Sequence, residues 1–430
     1  MPVLELELEW VRAQFPALKQ TMDGQPVVFL DGPGGTQVPQ SVIDGISHYL
    51  INSNANLHGA FATSVRTDAL VANAREAVAN FLGCSPEEIV FGANMTTLTF
   101  AISRAIGRDL QPGDEILVTT LDHDANVAPW LVLQERGIVV RTVDIHEADC
   151  TLDLADLERQ LSERTKIVAV TYASNAIGTI NPVAKIKQLA HAVGAMVFID
   201  AVHYAPHASI DIQSLDCDFL VCSAYKFFGP HLGILYGKHK HLSQLLPYKV
   251  RPATDEVPAC WETGTLNFES LAGLVATIDY LTELGRRVSS NVSGVLNRRE
   301  ALVAAMMAIQ EYEQSLTQKL LPSLMEIPGV TIYGITDPER LSWRTPTVGM
   351  LLTGYTPYEL AKALGECGIF TWNGNFYALS LMQRLSLESR GGLLRIGLAH
   401  YNTVEEAHRL LHTLQELAIR PLASAKARTA

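Results

Sequence analysis

Between residues 70 and 240, short runs of β-branched and apolar residues alternate with stretches of helical periodicity, and this alternation constrains the fold more than any other feature. Parallel strands need long crossovers, normally helices, so the pattern predicts an α/β unit with a mostly parallel sheet covered by helices. The strands are expected at Glu115–Thr119, Val139–Val143, Lys166–Thr171, Met196–Ile199, Phe219–Cys222 and Gly233–Tyr236. Ala184–Val193 reads as a crossover helix that stops at Gly194.

After residue 290 the character changes. A long Ala/Leu/Glu-rich helical stretch runs to about residue 325, followed by strands at Val330–Tyr333 and Thr347–Leu352 and two more helices, an α+β pattern. With 430 residues, one core is not enough. The expected division is an N-terminal segment (1–30) joining the smaller domain, a large domain (31–290), a small C-terminal α+β domain (291–420) and a flexible tail (421–430).

The net charge of −12 comes without a Lys/Arg cluster of the kind that tracks a phosphate backbone, so the partner expected is a small molecule rather than nucleic acid. Cys84, Cys150, Cys217, Cys222, Cys260 and Cys367 are scattered and form no C-x-x-C pair, which points to reduced thiols and to no zinc site. Glu5, Glu7 and Glu9 interrupt the apolar N-terminus, and no later segment reads as a membrane span. A soluble, cytoplasmic protein is expected.

Ligands of a parallel sheet bind where loops leave the carboxyl edge of its strands. Three strand ends carry suitable polar residues: AMVFID ends in Asp200, followed by His203; DFLVCSAYKFFGP carries Ser223 and Lys226; KIVAVTYASNAIG carries Ser174 and Asn175. A lysine amine and a carboxylate on neighbouring strands are what pyridoxal 5′-phosphate (PLP) requires, the amine for a Schiff base and the carboxylate to keep the ring nitrogen protonated. Taken singly, Asp200 reads as a helix cap and Lys226 as a surface charge. Lys226, however, lies in an aromatic, glycine-bounded turn, where apolar surroundings depress a lysine pKa. In FGANMTTLTF a strand runs into a helix opening with Thr96 and Thr97, a candidate anion site. TTLDHDANVAPW places His123 after another strand, suited to stacking on a planar ring or to proton exchange; Asp122 and Asp124 beside it lack the spacing of a metal site.

These residues resemble the class V aminotransferases, in particular the group of cysteine desulfurases, selenocysteine lyases and isopenicillin N epimerase-like proteins. The resemblance runs from FLDGPGGTQVPQSV near residue 29 to RIGLAHYNTVEE near residue 395, through SNANLHG, MTTL, DHDANV, ASNAIGTINPV, DAVH, SAYKFFGP and WETGT. It implies PLP-dependent transferase fold type I with a seven-stranded sheet, and a homodimer with shared active sites. By the same resemblance Lys226 carries the cofactor as a Schiff base and Asp200 pairs with its ring nitrogen. His123 lies over the ring, Asn175 near its hydroxyl, and Thr96, Thr97 and Ser223 around the phosphate. Thr265 reaches the phosphate from the neighbouring subunit. Arg395 clamps the substrate carboxylate, and His58, Asn175, Trp372 and Tyr377 complete the substrate side.

Four positions depart from desulfurases. Tyr225 stands where they have His before the lysine, part of the phosphate cup, and His203 stands where they have Gln and the epimerase-like members have His. More consequentially, GIFTWNGNFYALSL aligns with the loop bearing their persulfide-forming cysteine, with Tyr377 at the cysteine and Trp372 at a usual arginine. The reaction implied is therefore C–S or C–Se cleavage of an amino acid by α,β-elimination without an enzyme persulfide. Amino transfer or epimerisation is the close alternative, and a non-catalytic scaffold the alternative of another class.

Overall fold

The computed structural model describes residues 6–289 and 295–419. Seven strands form the main sheet: β1 (Ile89–Gly92), β2 (Glu115–Thr119), β3 (Val139–Val143), β4 (Thr165–Thr171), β5 (Met196–Asp200), β6 (Phe219–Ser223) and β7 (Gly233–Gly237), in the order β1-β7-β6-β5-β4-β2-β3. Pairings are parallel except those of β7, which runs against both its neighbours. The central strands are buried on both faces, which is why they read as continuous apolar runs rather than alternating ones. Val197, Ile199, Leu220 and Ile234 face one core, and Phe198, Phe219, Val221 and Leu235 the other.

Helix α1 (Ala62–Leu82) packs on the first of these cores, α2 (Met95–Gly107) on the second, and α3 (Val183–Ala192) on the first again. Gly194 follows α3 at φ +80°, a left-handed geometry that glycine adopts at little cost. The long α4 (Phe268–Val288) lies against α5 (Arg298–Met325). Along α5 the early residues Leu302, Met306 and Ile309 join the core under the main sheet. Its later residues Leu316, Leu320 and Leu324 join a separate core with the second sheet. One helix thus links the two packing units.

The second sheet is antiparallel: β8 (Val330–Tyr333), β9 (Thr347–Leu352), β10 (Trp372–Gly374) and β11 (Leu393–Gly397), ordered β8-β9-β11-β10. Helices α6 (Pro357–Glu366) and α7 (Val404–Ile419) cover it. The N-terminal segment is tied to this part: Val28–Phe29 pairs in parallel with Ile369–Phe370, and Arg12 bridges to Glu406 at 2.9 Å. β8 and β9 fall on the expected residues, whereas β10 and β11 do not appear in the sequence reading. Both are short, and glycines bracket β11, so neither carries a periodic signal. The tail at 421–430 lies outside the described residues.

Candidate active site

The carboxyl ends of β2, β4, β5 and β6, the start of α2 and the second sheet enclose a cavity of about 420 Å³. Lys226 lies in the tight turn after β6, where Phe227 and Phe228 turn into the core and anchor it. Its Nζ donates to the Pro33 carbonyl oxygen. Burial lowers its pKa to about 7, assisted by Arg395 and opposed by Asp200.

Asp200 closes β5 and accepts from Val202 N–H at 2.9 Å. Burial pushes its pKa up to about 6, against the pull of that N–H and of Lys226. A cationic group held beside it would restore the ionised form. His123 follows β2 and accepts from Ala125 N–H at its Nδ1, 3.0 Å away, which puts a neutral ring's proton on Nε2. Burial, with Lys226 and Arg395, holds its pKa down at about 4.

Asp122, which the sequence reading weighed only as a metal ligand, accepts from Thr119 N–H, Thr119 Oγ1 and Asn126 Nδ2 at 3.1, 2.6 and 2.9 Å. It fixes the loop that presents His123.

Arg395, on β11, reaches across with Nη1 to the Asn175 carbonyl oxygen at 2.8 Å. Asn175 Nδ2 donates to Phe376 O at 2.9 Å. Two further polar atoms of this pair, Asn175 Oδ1 and Arg395 Nε, are buried without a hydrogen-bond partner among the described residues, as expected of a wall that receives a ligand's polar groups. Ser223 Oγ accepts from Met95 N–H at 3.2 Å at the start of α2, and Thr96 lines the cavity beside it. Tyr225 stacks on His231, with ring centroids 4.8 Å apart, and also borders the cavity.

Three sequence assignments are not brought together with these. Thr97 belongs to the cap of α2: its N–H donates to Asn94 Oδ1 at 2.9 Å and its hydroxyl to Asn94 O at 2.8 Å, so Asn94 is the N-cap and Thr97 does not line the cavity. His58 is exposed, 3.3 Å from Asp68. Thr265 is exposed and outside its own chain's cavity. Conversely, Pro33, Gly34 and Phe376 line the cavity without having been singled out. The Gly-Pro-Gly-Gly run at 32–35 was the available signal for the first two.

His203 is backed by a buried polar chain. Its Nε2 lies 3.1 Å from Thr345 Oγ1, its ring meets His207 edge-on at 5.2 Å, and His207 Nδ1 lies 2.8 Å from Glu313 Oε2. Removing one member of a buried pair strands the other. Glu313→Leu is expected to cost about 3 kcal/mol in urea unfolding, with Glu313→Gln losing much less. A leucine variant as stable as wild type would remove the pair from the account of how His203 is held.

A lysine amine, a buried carboxylate, a histidine ring face and a helix N-terminus with hydroxyls converge on one cavity at the carboxyl edge of a mostly parallel sheet. They fit the aldehyde, ring nitrogen, ring plane and phosphate of PLP, and fold and site together define a PLP-dependent enzyme of fold type I. The family model for aminotransferase class V matches residues 28–410, and the chain belongs to that family. A cysteine desulfurase of Pectobacterium carotovorum is 34% identical over 427 residues, covering 95% of this chain and 98% of its own. A longer Mycolicibacterium paratuberculosis protein, described as a probable cysteine desulfurase, is 34% identical over 424 residues; the match covers 95% of this chain and 58% of that protein. The apo cysteine desulfurase structure from Thermococcus onnurineus superposes with a TM-score of 0.85 at 26% identity, covering 97% of this chain and all (100%) of that one. No helix among the described residues is long and apolar enough to cross a membrane.

Proposed function

We propose that this chain is a C–S (or C–Se) lyase that cleaves a β-substituted amino acid by α,β-elimination, without taking sulfur onto a cysteine at the position of Tyr377. The observation that carries the reading is that, among the described residues, no cysteine lines the cavity. Cys260 is buried outside it, where burial raises its thiol pKa, and Cys367 follows α6, also outside it. Bound PLP supplies an electron sink for the pair released at the α-carbon. Arg395 holds the α-carboxylate, a task suited to its planar fork of donors. Asn175 orients the ring hydroxyl side, and Asp200 holds the proton at the ring nitrogen. The Lys226 amine removes the α-proton, the β-carbon–sulfur bond breaks, and the thiolate leaves with a proton. Water then releases pyruvate and ammonia, so substrate plus water balances thiol, pyruvate and ammonia.

The same proposal includes a cytoplasmic homodimer in which Thr265, exposed and away from its own cavity, serves the phosphate of the neighbouring chain. The test is product analysis of the holoenzyme with L-cysteine under anaerobic conditions, where elimination releases sulfide, which cannot build a persulfide on a protein thiol without an oxidant. Equal amounts of pyruvate and ammonia with no sulfur added to the protein mass are expected. A protein persulfide, or conversion of the cofactor to pyridoxamine phosphate reversed by a keto acid, would overturn the elimination.

A further inference from the structure

The segment from Trp372 to Tyr377 forms a wall of the cavity, and each of its three aromatic rings sits on a part of the site. Trp372 pairs directly across from Arg395 in the β10–β11 ladder, so both project to the same face. Its indole lies so close to Gly34 that no β-carbon fits there. Phe376 lies over the Arg395 guanidinium, 4.1 Å from ring centre to carbon. Tyr377 stacks on His123 with ring centroids 5.3 Å apart and planes 26° apart.

The wall is held rigidly. Asn175 Nδ2 donates to Phe376 O, Asp124 N–H donates to Tyr377 O at 2.7 Å, and Tyr377 N–H donates to Asn375 Oδ1 at 3.1 Å. Phe376 and Tyr377 both stand at φ +55°, a left-handed conformation that bulky residues adopt only when their surroundings impose it. No charged side chain lies between Trp372 and Tyr377. Yet Trp372 is 48% and Tyr377 70% exposed, so large apolar surface stands open at the mouth beside the carboxylate clamp.

We infer that this wall is the specificity element of the site and that it selects an amino acid whose β-sulfur carries a planar aromatic group, an S-aryl cysteine, over cysteine itself. The inference rests on the lyase reading for the nature of the substrate, but the wall is testable without turnover. A side chain leaving the α-carbon beside Arg395 runs along Trp372 and Phe376. An aryl group there covers the exposed indole face, whereas a bare thiol is too short to reach it. A flat ring also gains over an aliphatic chain of similar size by stacking with fewer rotatable bonds to immobilise.

Two unreactive probes separate binding from chemistry: L-homophenylalanine, shaped like S-phenyl-L-cysteine without a leaving group, and L-2-aminobutyrate, shaped like cysteine. Titrated into the holoenzyme and followed by cofactor absorbance, homophenylalanine is expected to bind at least about tenfold more tightly. Trp372→Ala is expected to erase that preference, and Trp372→Phe, which keeps a flat ring there, to retain most of it. Equal affinities in wild type, or a Trp372→Ala loss shared by both probes, would overturn the inference. A homophenylalanine preference with no thiophenol released from S-phenyl-L-cysteine would uphold the wall and overturn the lyase reading instead.

Discussion

Lys226→Ala is expected to abolish the borohydride-reducible bond between chain and cofactor and to lower turnover by at least about 10²- to 10⁴-fold, the range over which a positioned base contributes. Loss of fold is not the expected route. Lys226 Nζ is withdrawn from water, donates to the Pro33 carbonyl oxygen and lies 4.7 Å from the Tyr225 ring centre, so removing it relieves a desolvated charge at the cost of one hydrogen bond and one ring contact. The depressed pKa sets the pH dependence as well. Only the neutral amine attacks an aldehyde, so capture of PLP by the wild-type apo-protein should accelerate as pH rises through about 7 and then level off. An ordinary lysine would still be accelerating at pH 9. A reducible bond that survives in Lys226→Ala, seen as a retained cofactor mass on a peptide, would move the assignment to another amine.

The central sheet was legible in the sequence because its strands are buried on both faces and so form unbroken apolar runs separated by helices. β2 and β3 coincide with the expected residues, and β4 to β7 and α3 lie within one residue of them. Lys226 and Asp200 were legible for a related reason: each sits immediately beyond such a run, and their pairing across adjacent strands needs no knowledge of loops. What escaped has short range or no pattern. β11, which carries Arg395, is five residues long, so its place at the cavity came from motif resemblance rather than periodicity.

Thr96 and Thr97 look equivalent in sequence, but hydrogen bonding at the start of α2 divides them. Asn94 takes Thr97 into the cap, and Thr96 is left facing the cavity. His58 and Thr265 were named through resemblance alone, and within one chain neither reaches the site. Phe376 was not singled out, because nothing in the sequence of its loop marks it apart from the aromatic residues around it. Its position over Arg395 depends on a left-handed turn that no propensity foretells.

Arg395→Leu is expected to lower kcat/KM for any α-amino acid by about 10²- to 10³-fold, corresponding to ~3–4 kcal/mol for a desolvated charge pair. The guanidinium is buried, and its Nη1 is already engaged by the Asn175 carbonyl oxygen. Its Nε has no hydrogen-bond partner among the described residues, so a carboxylate entering the cavity meets a preorganised donor rather than one that must first shed water. Arg395→Lys keeps the charge but loses the planar fork, and an intermediate loss is expected. Arg395→Leu also removes the cation that restrains Asp31, whose pKa burial has raised to about 6. Without Arg395 that carboxyl moves further up. The control is cysteamine, an amine without an α-carboxylate: its binding, followed by cofactor absorbance, should be equally weak in wild type and Arg395→Leu. Unchanged kcat/KM for amino acids in Arg395→Leu, or an equal loss for cysteamine, would mean that Arg395 supports the fold of the second sheet rather than the carboxylate of the substrate.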